Sequence, residues 1–148
     1  MKILKSKDLS NEDFNKIYKN NTCFIGIFSN RCPHCVVMKP VWKKLKKKLE
    51  NVKSNNYLIT IRSEDIVRLN DYLFNYVSSK GIPCIIITEN GKIKKEFKGE
   101  RDLKNLYNFF KSQTGGKKTR KIKAINTKRK KLRKKTKKTK KNKKRKNN

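Results

Sequence analysis

"FIGIFSNRCPHCVVMKPVWKKL", residues 24–45, passes from an unbroken apolar run to a lysine-studded amphipathic segment, with two cysteines at the junction. The apolar run, "TCFIGIFS" (22–29), is rich in β-formers and too short for a buried helix. It reads as a strand covered on both faces, central and parallel to a neighbour. From Pro33 to Glu50 the pattern predicts a helix, with Val36, Val37, Val41, Leu45 and Leu49 on its apolar side. Lys43, Lys44, Lys46, Lys47 and Lys48 fill the rest. Pro33 suits the first turn, whereas Pro40 lies in the interior and is expected to kink the helix.

Outward from this junction, strands and helices alternate. Ser10, with Asp13 three residues on, predicts a capped helix over about 11–19. "YLITI" (57–61) reads as a second strand, and Ser63 as the cap of a single helix, "EDIVRLNDYLFNYV", with Ile66, Leu69, Leu73 and Val77 at helical spacing. "GIPCIIIT" (81–88) reads as a third strand, "ENGK" (89–92) as a hairpin turn, and "KIKKEF" (92–97) as its antiparallel partner. "RDLKNLYNFFKSQ" (101–113) predicts a last helix, and "KIL" (2–4) a short first strand. The order implies an α/β fold: a mixed sheet with helices on both faces.

The chain has 148 residues and a formal charge of +32, spread unevenly. Residues 117–148 hold 20 of the 43 Lys and Arg and none of the 11 acids, leaving +12 on the residues before them. So charged a segment, with Ile122, Ala124, Ile125 and Leu132 as its only apolar residues, buries too little to offset chain entropy. The expected organisation is therefore one folded domain over 1–113 and a Gly-Gly linker with a disordered basic tail over 114–148. "MKILKSKDLSNEDF" holds no long apolar run, so no secretory signal is expected, and no stretch is long and apolar enough for a membrane span.

Cys32 sits where the strand hands over to the helix. A sulfur there faces unpaired backbone N–H groups and the positive end of the helix dipole, both of which favour the reactive thiolate. Cys35 lies one turn further along the same face, at disulfide distance. Three readings of the pair stand open: thiol–disulfide exchange, a metal site (including a cluster bridged between two chains), or two inert buried thiols. Structural zinc usually takes four ligands. The chain has no second CxxC or HxxxH, its one histidine, His34, lies between the cysteines, and Cys84 would raise the thiols only to three. Exchange is the favoured reading, with neither metal nor organic cofactor. His34 adds a cation or hydrogen-bond donor beside Cys32, and a stabilised thiolate makes the disulfide a stronger oxidant. Arg31 is either solvated or a second influence on that thiolate. Cys23, Trp42, Phe109 and Phe110 read as core residues.

The strand, "CPHC" and helix with Pro40 five residues after Cys35 resemble the active-site segment of thioredoxin-fold oxidoreductases. "GIPCIII" is similar to that fold's cis-proline loop, and "ENGKIKKEFKGER" to its closing hairpin with Gly99. The resemblance spans about residues 8–113 in order. It implies a thioredoxin-like fold, cysteine-containing protein substrates, Cys32 as nucleophile, Cys35 as resolving thiol and a redox disulfide between them. It also makes Pro83 the cis residue, a backbone docking point for substrate, and places Cys84 beside the pair as a strand residue or a third redox thiol. The Pro-His dipeptide resembles that of bacterial periplasmic disulfide oxidases. Two positions depart from the family: Arg31 stands where thioredoxins have a tryptophan, and Gly26 where they have a buried acid that moves protons for the resolving thiol.

The tail, with Lys128, Arg129, Lys130, Lys131, Arg133, Lys134 and Lys135 at its densest, has charge to neutralise phosphates but no aromatic residue to stack on bases. Expected partners are DNA, RNA or another polyanion, bound without sequence preference. "KRKKLRKK" also has the composition of a nuclear-localisation signal. A cytoplasmic or nuclear location is expected. A large DNA virus that oxidises its own virion proteins would suit such a chain. The competing reading is a nucleic-acid packaging or virion structural protein, in which the tail is the main function.

Overall fold

The computed structural model describes residues 1–114; the basic tail and the lysines and arginines singled out in it lie outside the described residues. Five strands form one sheet, β1 (Lys2–Lys5), β2 (Thr22–Phe28), β3 (Tyr57–Arg62), β4 (Cys84–Glu89) and β5 (Lys92–Glu96), in the order β1-β3-β2-β4-β5. The apolar run becomes the central strand. β2 pairs in parallel with β3, which pairs in parallel with β1, and β4 runs antiparallel to both β2 and β5. Asn90 and Gly91, both with positive φ, make the tight turn between β4 and β5.

Because successive strand residues point to opposite faces, the sheet feeds two separate cores. Cys23, Ile25, Ile27, Ile59, Ile61, Cys84 and Ile86 meet α1 (Asn11–Asn20), α3 (Ile66–Leu69) and α4 (Asp71–Lys80) on one face. Phe24, Phe28, Leu58, Ile85 and Ile87 meet α2 (Pro33–Glu50) and α5 (Leu103–Thr114) on the other. The mixed sheet with helices on both faces is the one expected.

Two helices differ from their sequence reading. The buried stripe of α2 is Cys35, Met38, Trp42, Leu45 and Leu49, while Val36 and Val37 are 48 % and 77 % exposed. Spacings of three and four put these five residues on one line, and the two valines fall beside it. Pro40 lies inside α2 and, lacking an N–H, cannot bond the carbonyl of Val36 four residues back.

The helix expected from Ser63 onward is two. Ser63–Asp65 form a 3-10 turn with no side-chain cap, and the chain breaks at Asn70, whose extended backbone (φ −167°, ψ 116°) cannot belong to a helix. Asn70 Oδ1 accepts the Leu73 N–H at 3.0 Å and so starts α4. Its amide donates to Asn15 Oδ1 at 3.1 Å, holding the break against α1. α4 ends at Gly81, where φ of +81° suits a residue without Cβ.

Candidate active site

Cys32 is the N-cap of α2, with extended backbone (φ −94°, ψ 116°) and Pro33 in the first turn behind it. Its sulfur accepts the Cys35 N–H at 3.3 Å. This is the bond that an N-cap serine oxygen usually makes, here given to a thiol. The Cys32 S–H also points at the Ile82 carbonyl, 3.6 Å away, on the loop before β4. The Ile82–Pro83 peptide bond is cis. The β2–α2 junction and the α4–β4 loop therefore meet at one sulfur.

The environment pushes the two thiols apart. Cys32 is lowered from the ordinary thiol range, first by the hydrogen bond from the Cys35 side chain, then by backbone donors of Cys35 and His34 and the charge of Arg101. Cys35 is fully buried, and burial pushes it up to about 11, helped by its bond to Cys32. An accessible thiolate beside a protonated, sheltered thiol is the state from which exchange begins. All four cysteines are free thiols in this structure.

Arg101 was not visible from the sequence. It follows the β4–β5 hairpin and sits just before α5, and its Nη2 donates to the Pro83 carbonyl at 3.5 Å. Its charge lowers both Cys32 and Cys35. Arg31 and His34 are exposed. The Arg31 backbone N–H donates to Ser29 Oγ at 3.1 Å, and Arg31 is not among the influences on Cys32. Cys84 lies with Cys23 in the core of the α1, α3 and α4 face, across the sheet from Cys35. Burial pushes Cys84 up to about 11 and Cys23 up to about 12.

Position 26 is filled from outside. A Cβ there would stand 2.5 Å from Trp42 Cζ2 and 2.7 Å from Phe28 Cε2, so only glycine fits beneath the indole. The Trp42 N–H donates to Thr60 Oγ1 at 3.0 Å on the neighbouring strand. No carboxylate figures among the influences on Cys35. No group of three or more His, Cys, Asp and Glu that could hold a metal ion occurs among the described residues.

A mixed five-stranded sheet with a dithiol capping the helix after its central strand is the architecture of thioredoxin-fold domains. The thioredoxin family model matches residues 5–112, and the chain belongs to that family. It is 28 % identical over 115 residues to a thioredoxin domain-containing protein 5 homolog of Drosophila melanogaster, covering 78 % of this chain and 26 % of that protein. It is 27 % identical over 103 residues to a protein disulfide-isomerase of Datisca glomerata, covering 69 % of this chain and 20 % of that one. The chain thus spans about a quarter or less of these relatives. The first thioredoxin domain of mouse protein disulfide-isomerase A4 shares the fold, with a TM-score of 0.59 at 18 % identity over 75 % of this chain and 76 % of that domain.

Proposed function

We propose that the chain is a thiol–disulfide oxidoreductase acting on cysteine-containing proteins through Cys32 and Cys35. The opposed shifts of the two thiols at the start of α2 carry this reading. In the reducing direction, the Cys32 thiolate attacks one sulfur of a substrate disulfide, that S–S bond breaks, and the displaced substrate thiolate takes a proton. Cys35 then gives up its proton and attacks the Cys32 sulfur. The second substrate thiol leaves, and a Cys32–Cys35 disulfide remains. The same steps reversed place a disulfide in the substrate. The Arg101 charge supports both sulfurs as thiolates, the His34 side chain is available at the rim, and the cis-Pro83 loop offers backbone for docking. With Trp42 over Gly26, β2 supplies no proton acceptor for Cys35, so the second step is the slow one.

Two variants test this. Cys32→Ser abolishes exchange, whereas Cys35→Ser accumulates a covalent enzyme–substrate adduct; an active Cys32→Ser protein would sink the reading. Equilibration with glutathione, read by mass spectrometry, gives the direction. A potential of about −120 to −200 mV marks an oxidase or isomerase, and one near about −270 mV a reductase.

The tail supports a second proposal. With 20 basic residues and no acid over 117–148, it tethers this chemistry to DNA, RNA or another polyanion. The sites of action that follow are cytoplasm, nucleus or virion. Packaging as the main function stands against this. It predicts that the tail alone sustains the biological role and that Cys32→Ser leaves it intact.

A further inference from the structure

The loop that delivers Cys32 also walls two depressions. One, of about 600 Å³, is lined by Ser29, Asn30, Arg31, Ser63 and Glu64 and begins one residue before Cys32. The second, of about 300 Å³, shares Asn30 with the first. Its lining is mostly apolar and includes the edges of Phe28 and Trp42, and its rim is cationic, with Lys39, Lys43, Lys46 and Arg62. Arg62 is held by Asp65 at 2.8 Å. Lys39 bonds Asn30 Oδ1 at 2.9 Å, which fixes the rim to the active-site loop. Among the described residues no carboxylate lies within salt-bridge distance of Lys39, Lys43 or Lys46. Burial and the neighbouring charges of Lys5 and Lys43 disfavour the ammonium of Lys46. Such a rim is short of negative charge.

We infer that this cleft receives an acidic segment carrying one large apolar side chain, on the same polypeptide whose cysteine is engaged at Cys32. The inference rests on the exchange reading of Cys32 and Cys35 and assigns its substrate class. A bound anion relieves the repulsion among the lysines, and an apolar side chain covers the edges of Phe28 and Trp42. A polypeptide is the occupant because the cleft shares Asn30 with the depression that reaches Arg31, the residue before Cys32.

The test uses the full chain and peptides whose single cysteine is linked by a disulfide to thionitrobenzoate. Attack by Cys32 breaks that bond, releases coloured thionitrobenzoate and leaves the peptide on Cys32. Peptides with Glu-Phe-Asp flanks on both sides of the cysteine are compared with Lys-Phe-Lys and Glu-Gly-Asp counterparts. The neutral 2,2′-dithiodipyridine reports the chemistry alone. Expected is at least a tenfold preference for Glu-Phe-Asp over Lys-Phe-Lys and a severalfold one over Glu-Gly-Asp. The Lys43→Gln/Lys46→Gln pair cuts both preferences severalfold, while Lys16→Gln/Lys19→Gln, which removes equal charge from α1, leaves them. Dithiodipyridine reacts equally in all three proteins. If it fails to react at Cys32, the exchange reading falls. If it reacts but the peptides are not distinguished, or the two lysine pairs respond alike, the cleft assignment is overturned.

Discussion

At position 26 the central strand gives up its own side chain to make room for an indole. Gly26→Ala forces its Cβ into Trp42 and is expected to cost about 1–3 kcal/mol, read by urea unfolding. The cost shrinks when Trp42 is first shortened to Leu, because the two sites occupy one volume. Arg101 acts on the sulfurs by charge. Removing it as Arg101→Gln raises Cys32 toward the ordinary thiol range. The pH midpoint of Cys32 alkylation by iodoacetamide then moves up and the rate near neutrality falls. The glycine was legible as a departure from its family, and Trp42 as a core residue. That one fills the place of the other depends on α2 crossing β2, which local sequence does not encode. Arg101 escaped for the same reason: only the β4–β5 hairpin returns it to the neighbourhood of Cys32.

At the scale of elements, short polar side chains decide where segments begin. Asn70 both caps α4 and bonds Asn15, so Asn70→Ala is expected to cost about 1–2 kcal/mol by thermal or urea unfolding. The apolar periodicity of 66–77 ran through this break, because the residues on either side still face one core. On α2 the expected Val41, Leu45 and Leu49 face the core, but Cys35 and Met38 take the place of Val36 and Val37, because packing uses the sulfur as a core atom. After β3, Asp65 accepts from Ser6 Oγ at 2.5 Å and from Arg62 Nε and Nη2 at 2.8 Å, tying the first turn of the chain to the end of that strand. Arg62 foremost, then Ser6, hold the Asp65 carboxyl below the usual carboxylate range. Its contribution is therefore present above the unfolded value of about 3.9 and is lost as pH falls through the lower folded value. Asp65→Asn is expected to lose about 1–2 kcal/mol near neutrality, discounted for the exposure of Arg62. The difference from the parent protein should close at the acid end of a pH series.

For the whole molecule, charge and chemistry were legible as separate features. The composition of 117–148 is enough to expect that affinity for a generic duplex falls about 10³-fold or more between 50 and 200 mM salt. Residues 1–114 alone should lose that binding and keep their exchange rate with a small disulfide, a comparison that gel shift and thiol release decide together. What composition did not carry is the side of the sheet on which each cysteine falls. Alternation along β2 and β4 sends Cys23 and Cys84 to one core and leaves the Cys32–Cys35 pair at the other. The backbone layer of the sheet lies between the two pairs of sulfurs. Counting thiols that a bulky maleimide can tag then becomes a gauge of integrity: Cys32 is open to it in the folded protein, whereas Cys23, Cys35 and Cys84 are buried and answer only when the fold comes apart.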